Sequence, residues 1–199
     1  LLQQTVAEFF KPEELTVVLG GPAVAAEFSK QAWNHLVFTG ATSVGKLIMK
    51  AASENLVPVT LELGGKSPAI VDPSAKLKEA AASIIYGKLV NGGQTCIAPD
   101  YAVIRASDCN AFIQEMQNAA QNQFSNPEEF TGAIDEHQLA RWQKLVQDAI
   151  DHGAQAIPLI SPTDNTRLPF IPVALLNVSE DALIMQEEVF GPILPIVTI

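Results

Sequence analysis

With 199 residues, 48% of them hydrophobic and 17% charged, the chain has apolar mass for one domain or parts of two. A net charge of −10 argues against a nucleic-acid partner, because no basic surface is left to neutralise phosphates. No apolar run approaches the length of a membrane span, and no signal peptide is expected. Two cysteines, Cys96 and Cys109, are too few for a disulfide scaffold and suit a reducing, cytoplasmic setting. The opening LLQQTVAEFF reads as part of a helix and the closing ILPIVTI as an unfinished strand, so the expectation is a segment of a longer protein.

Taken in order, 1–10 has helical spacing that Pro12 ends. The apolar run 15–19 predicts a buried strand, closed by Gly20 and Gly21. Pro22 opens a helix to about Lys30, since proline is tolerated in a first turn. The run 35–38 predicts a strand broken at Thr39-Gly40, and 43–55 a helix with Val44, Leu47, Ile48 and Ala51 on one face. A strand at 59–63 ends at Gly64-Gly65, which marks a domain boundary. Strand, helix, strand with short joints implies parallel, right-handed crossovers in a doubly wound α/β sheet.

Beyond Gly65 the reading is a strand at 69–71, an amphipathic helix at 75–89, a loop at 91–99 and a strand at 101–105. A helix at 108–124 follows with Asp108 as N-cap, then a helix at 135–151 that stops near Gly153. Strands at 156–160, 170–178 and 193–199 complete it, with Pro158, Pro162, Pro169 and Pro172 marking turns or edges.

Four stretches carry candidate chemistry. GATSVGK, 40–46, nearly matches a phosphate-binding P-loop, but Leu47 stands where a hydroxyl would bind Mg²⁺. Free N–H groups at the start of the following helix could still hold a pyrophosphate; the plain alternative is a tight turn. Glu62 interrupts an apolar strand before two glycines. A carboxylate in a desolvated cleft holds its proton more tightly and suits general-base work, whereas at an open strand end it is only a solvated charge. Cys96 closes NGGQTC, 91–96, whose glycines allow close backbone approach. Clustered N–H groups favour the thiolate, the nucleophilic form; the alternative is a small buried hydrophobe, the reading that suits Cys109. His35, His137 and His152 fall in no motif and read as surface or capping residues. QEEVFGP, 186–192, is by itself a loop entering a strand.

FTGATSVG, LELGGKSP, GGQTC and EEVFGP, in this order, resemble the NAD(P)-dependent aldehyde dehydrogenase superfamily over essentially the whole chain. The phrasing of 37–71 is most similar to the coniferyl aldehyde dehydrogenase branch. The resemblance implies an α/β fold, with 1–65 the C-terminal part of a Rossmann-type NAD(P)-binding domain and 66–199 most of a catalytic thiol domain. It implies that Cys96 attacks an aldehyde carbonyl to give a hemithioacetal and then a thioester, which water activated by Glu62 hydrolyses. The Cys96 N–H would help hold the oxyanion. Gly40, Ala41, Thr42, Val44, Gly45 and Leu63 would border NAD or NADP, Glu188 would hold the nicotinamide ribose, and Phe190 would pack near the ring. No metal is implied.

Ala41 departs from the serine many members carry, which removes a hydroxyl from the pyrophosphate. The family's first cofactor segment, with an oxyanion-hole Asn and a ribose-binding Lys, is missing from these residues, as is a final oligomerisation segment. A homodimer or homotetramer is expected of the full-length protein, and no dehydrogenase activity of this segment alone. The competing readings are a cofactor-independent thiol hydrolase using Cys96, a nucleotide-hydrolysing module at 40–46, and a catalytically silent structural segment.

Overall fold

A computed structural model describes residues 1–124, 126, 130–160 and 168–199. Their contacts divide into two compact units, Leu1–Gly64 and Gly65–Ile199.

In the first unit, helices α1 (Leu2–Phe9) and α2 (Pro22–Ser29) precede strand β1 (Leu36–Gly40), helix α3 (Thr42–Ser53) and strand β2 (Val59–Leu63). Proline stands in the first turn of α2, where its missing N–H costs nothing. The strand expected at 15–19 does not form. A strand is defined by its ladder, and among the described residues this run has none: the Val17 carbonyl accepts instead from the Gln3 side chain, and Leu15, Val18 and Leu19 are exposed.

β1 and β2 pair in parallel, from Leu36 opposite Val59 to Gly40 opposite Leu63, so β1 runs through the expected break at Thr39-Gly40. The buried face of α3 also differs from expectation. Gly45, Ile48 and Ala52 turn inward, while Val44 and Leu47 are exposed. The register is set by the meeting with β2, where a Cβ on Gly45 would lie 2.8 Å from Leu63 Cδ2.

In the second unit, strand β3 (Pro68–Val71) leads to α4 (Leu77–Leu89) and β4 (Tyr101–Ile104). Then come α5 (Cys109–Gln123), α6 (Glu136–Asp151), β5 (Gln155–Pro158), β6 (Val173–Leu176), α7 (Leu183–Gln186) and β7 (Ile193–Thr198). The sheet order is β3-β4-β7-β6-β5, parallel except between β5 and β6. Central strand β7 changes partner midway: Ile193 to Pro195 pair with β6 and Ile196 to Thr198 with β4. Pro158 ends an edge strand, Pro169 and Pro172 precede β6, and Pro162 lies outside the described residues.

Two cores hold this unit. Ala81, Ile85 and Leu89 of α4 meet Phe112, Met116 and Ala120 of α5 over Ala102, Ile104 and Leu194. Trp142 and Leu145 of α6 close on Leu175, Ile184, Val189 and Ile193. Each large apolar side chain among them contributes roughly 1.5–3 kcal/mol by leaving water. Cys109 belongs to the first core, and burial pushes its thiol up from the ordinary value. Asp108 stands at the N-cap of α5 without capping it, because its carboxylate is taken by Arg105 and Ser107. Asp135 caps α6, accepting from Gln138 N at 2.8 Å. Among the described residues no helix is long and apolar enough to cross a membrane.

Candidate active site

In the first unit the candidate residues gather at the C-terminal edge of the β1–β2 pair. Thr39 stands opposite Glu62 and Gly40 opposite Leu63. Glu62 is exposed and Leu63 half-buried, as alternation along a strand with one covered face requires. A single residue, Ala41, separates β1 from α3. Val44 N and Gly45 N both turn back onto the Ala41 carbonyl, at 3.0 and 2.9 Å, and no side chain caps the helix. Among the described residues the N–H groups of Thr42 and Ser43 thus have no acceptor, and the positive end of the helix dipole faces the same edge. An anion can be held there. The P-loop alternative finds no footing, because residues 42–47 are already helical and leave no loop to wrap a phosphate.

In the second unit the thiol sits at the end of a forced turn. Val90–Gly93 forms a short 3₁₀ turn with positive φ at Asn91 (54°), Gly92 (63°) and Gly93 (72°). A Cβ on Gly92 would lie 2.5 Å from the Thr131 carbonyl oxygen, and one on Gly93 2.4 Å from that of Gly191. Only glycine fits such backbone approach. Gln94 locks the turn further, donating to Gly132 O at 3.0 Å and accepting from Ile134 N at 2.9 Å. Cys96 follows, and it is exposed. The NGGQTC turn therefore lies against Gly191, and so against the EEVFGP segment.

That segment, 187–191, is neither strand nor helix. Lys66 donates to the Glu187 carbonyl at 3.1 Å and to the Ile184 carbonyl at 2.8 Å, and forms an ion pair with Asp100. Asp100, 3% exposed, accepts from Val189 N at 2.7 Å. Arg141 donates to the carbonyls of Glu188, at 2.5 Å, and Val189, at 2.8 Å, and pairs with the Glu187 carboxylate at 3.1 Å. Trp142 Nε1 donates to the Phe190 carbonyl at 3.1 Å. Phe190 itself adopts a φ of 44°.

Burial pushes the pKa of the half-buried Glu188 carboxylate up from the ordinary value, against an opposing pull from the nearby Gly65 N–H. Within electrostatic reach of that carboxylate is Lys88, 1% exposed. Burial drives its pKa down to about 7 against the opposing pull of Asp100, with Lys66 lowering it further. Among the described residues no group of three or more His, Cys, Asp or Glu is placed to hold a metal. His152 bonds the Asp148 carbonyl and His35 the Thr60 hydroxyl.

Sequence reasoning missed Lys66, Lys88, Asp100 and Arg141. The available signal was a charge enclosed by apolar neighbours, as in YGKLV and LARWQ, which predicts either a snorkelling side chain or a buried pair.

Comparison with known proteins gives a consistent result. The aldehyde dehydrogenase family profile matches residues 2–199. The chain is 46% identical over 200 residues to the probable coniferyl aldehyde dehydrogenase of Pseudomonas aeruginosa, covering 99% of this chain and 42% of that protein. It is 40% identical over 207 residues to the coniferyl aldehyde dehydrogenase of Pseudomonas sp. strain HR199, covering 100% and 43%. The substrate-bound structure of Staphylococcus aureus AldH superposes with a TM-score of 0.89 at 34% identity, over 100% of this chain and 43% of that one. The chain thus spans less than half the length of these relatives.

Proposed function

Since the chain belongs to the aldehyde dehydrogenase family, we propose that the protein oxidises an aldehyde to its carboxylic acid with NAD or NADP, using Cys96 as nucleophile and Glu62 as base. The observation that carries the proposal is an exposed thiol closing a turn in which two glycines admit no side chain. A turn so constrained fixes the chain that leads into Cys96, and a nucleophile delivered from a fixed turn favours attack in a set direction.

The residues present fit a dinucleotide. In the first unit the N–H groups of Thr42 and Ser43, unmet among the described residues, suit a pyrophosphate, with Gly40, Ala41, Val44, Gly45 and Leu63 as neighbours; in the second unit, taken by itself, Glu188 offers a carboxylate to a ribose hydroxyl and Phe190 a ring to the nicotinamide. Ala41 adds no hydroxyl to that grip on the phosphates.

Cys96 Sγ, as thiolate, bonds to the carbonyl carbon of the aldehyde, and the carbonyl π pair moves onto oxygen. The Cys96 N–H donates to that oxyanion. Bound NAD or NADP supplies the acceptor for the hydride that the hemithioacetal loses in becoming a thioester. Glu62 takes a proton from water; the water oxygen attacks the thioester carbonyl, the C–S bond breaks, and acid and thiolate part. Two relatives bearing coniferyl aldehyde names, at 46% and 40% identity, favour an aromatic aldehyde. We extend the same reading to a homodimer or homotetramer in a reducing compartment such as the cytoplasm, without nucleic-acid partners.

The test is aldehyde-dependent NAD(P)H formation by the intact protein, unmodified and as Cys96→Ser, with aromatic and aliphatic aldehydes and each cofactor. The serine variant is expected to lose activity by roughly a thousandfold or more. Activity that survives the exchange would overturn the thiol mechanism.

A further inference from the structure

Although 187–190 has no ladder or helix, every carbonyl in it is taken by a side chain: Lys66 on Glu187, Arg141 on Glu188 and Val189, Trp142 on Phe190. The Val189 N–H is taken as well, by Asp100. These holders come from the joint before β3, the joint before β4, and α6, so one short segment is suspended from three parts of the unit. Surface loops ordinarily leave such groups to water. The side chain that departs from the middle of this suspended backbone is Glu188, which is half-buried. Charged donors to backbone carbonyls make strong, directional bonds, and Arg141 supplies two of them around Glu188 from a planar fork.

We infer that Arg141, with the Lys66–Asp100 pair behind it, is a positioning residue that sets the direction of the Glu188 carboxylate toward the cofactor. The inference rests on the proposed role of Glu188. Among the described residues every side-chain hydrogen bond of Arg141 ends on 187–189 and none on the 91–96 turn, so its effect is separable from that of the thiol.

The experiment is a double-mutant cycle on the intact protein, reading the Kd of NADH and of NADPH from the rise in cofactor fluorescence on binding. Arg141→Gln and Glu188→Gln are each expected to weaken binding roughly tenfold, as loss of a hydrogen bond to a charged group would. The double variant is expected to bind no more weakly than Glu188→Gln alone, because a positioning residue has nothing left to position. Losses that add, or a silent Arg141→Gln beside a damaging Glu188→Gln, overturn the positioning role and leave the cofactor role of Glu188 standing. A silent Glu188→Gln overturns both. Cofactor-free hydrolysis of an activated ester is followed in parallel, and a loss there that matches the loss of NADH affinity would mean general collapse and overturn the inference. Should Arg141→Gln not fold, Arg141→Lys carries the same cycle, with an expected Kd nearer the unmodified protein's because the charge and one donor direction are restored.

Discussion

Gly93 and Gly65 stand in motifs of similar appearance but face different constraints. At Gly93 a positive φ and three backbone atoms within 2.7 Å of a would-be Cβ leave alanine no place. Gly93→Ala is expected to cost about 3 kcal/mol or more, from backbone strain and overlap together, and to displace Cys96 with the turn. Gly65 has nothing within 4 Å of its would-be Cβ and no positive φ, and its N–H survives substitution. Gly65→Ala should therefore change stability by about 0.5 kcal/mol or less. Chemical denaturation of the two variants decides this; equal losses would mean that the close approach of Gly93 to Gly191 does not constrain the fold. The glycines of NGGQTC were legible as a place of close approach. What they approach, the Gly191 carbonyl, was not, because nothing local in either motif names the other. The same holds for the cluster at 66, 88, 100 and 141, which meets 187–190 only through the pairing of β4 with β7 and the packing of α6 on Val189 and Ile193.

At the level of the element, the contrast lies between Asp108 and Asp135, both expected at helix starts. Asp135 bonds the Gln138 N–H, while Asp108 is drawn off by Arg105. Asp135→Ala is expected to cost about 1 kcal/mol, lowering Tm by roughly 2–4 °C for a unit of this size; Asp108→Ala loses an exposed pair and no cap, and should cost well under half of that. Thermal unfolding of the two variants separates them, and equal losses would show that the Asp135 cap carries no weight. Propensity and periodicity read most helices and strands to within a few residues. They failed where a partner decides: 15–19 has strand composition without a ladder, α7 at four residues is too short to carry a period, and α3 turns by the fit of Gly45 on Leu63 and not by its apolar stripe.

Lys88 makes its mark on the stability of the whole molecule. Its ammonium faces Asp100, Lys66 and Glu188 from the end of α4, and burial is the largest influence on it. Folded, it releases its proton near pH 7; unfolded, near the ordinary 10.5. Between those values the unfolded chain binds more protons than the folded one, so this group makes the protein more stable as pH rises through the window and less stable at its lower end. Buried Cys109 acts oppositely above its ordinary pKa of 9.0, since there the unfolded thiol ionises first. Both slopes are present in the unmodified protein, but only the second remains in Lys88→Met, whose side chain has similar length and no charge. Unfolding free energy by denaturant titration at pH 7, 8, 9 and 10 should rise more steeply in the unmodified protein, by about 1 kcal/mol per pH unit where Lys88 titrates fully. Parallel slopes in the two proteins would mean that Lys88 keeps its charge when folded, balanced by Asp100 and Glu188, and that the cluster under the 187–190 segment is an ion network with no neutral member.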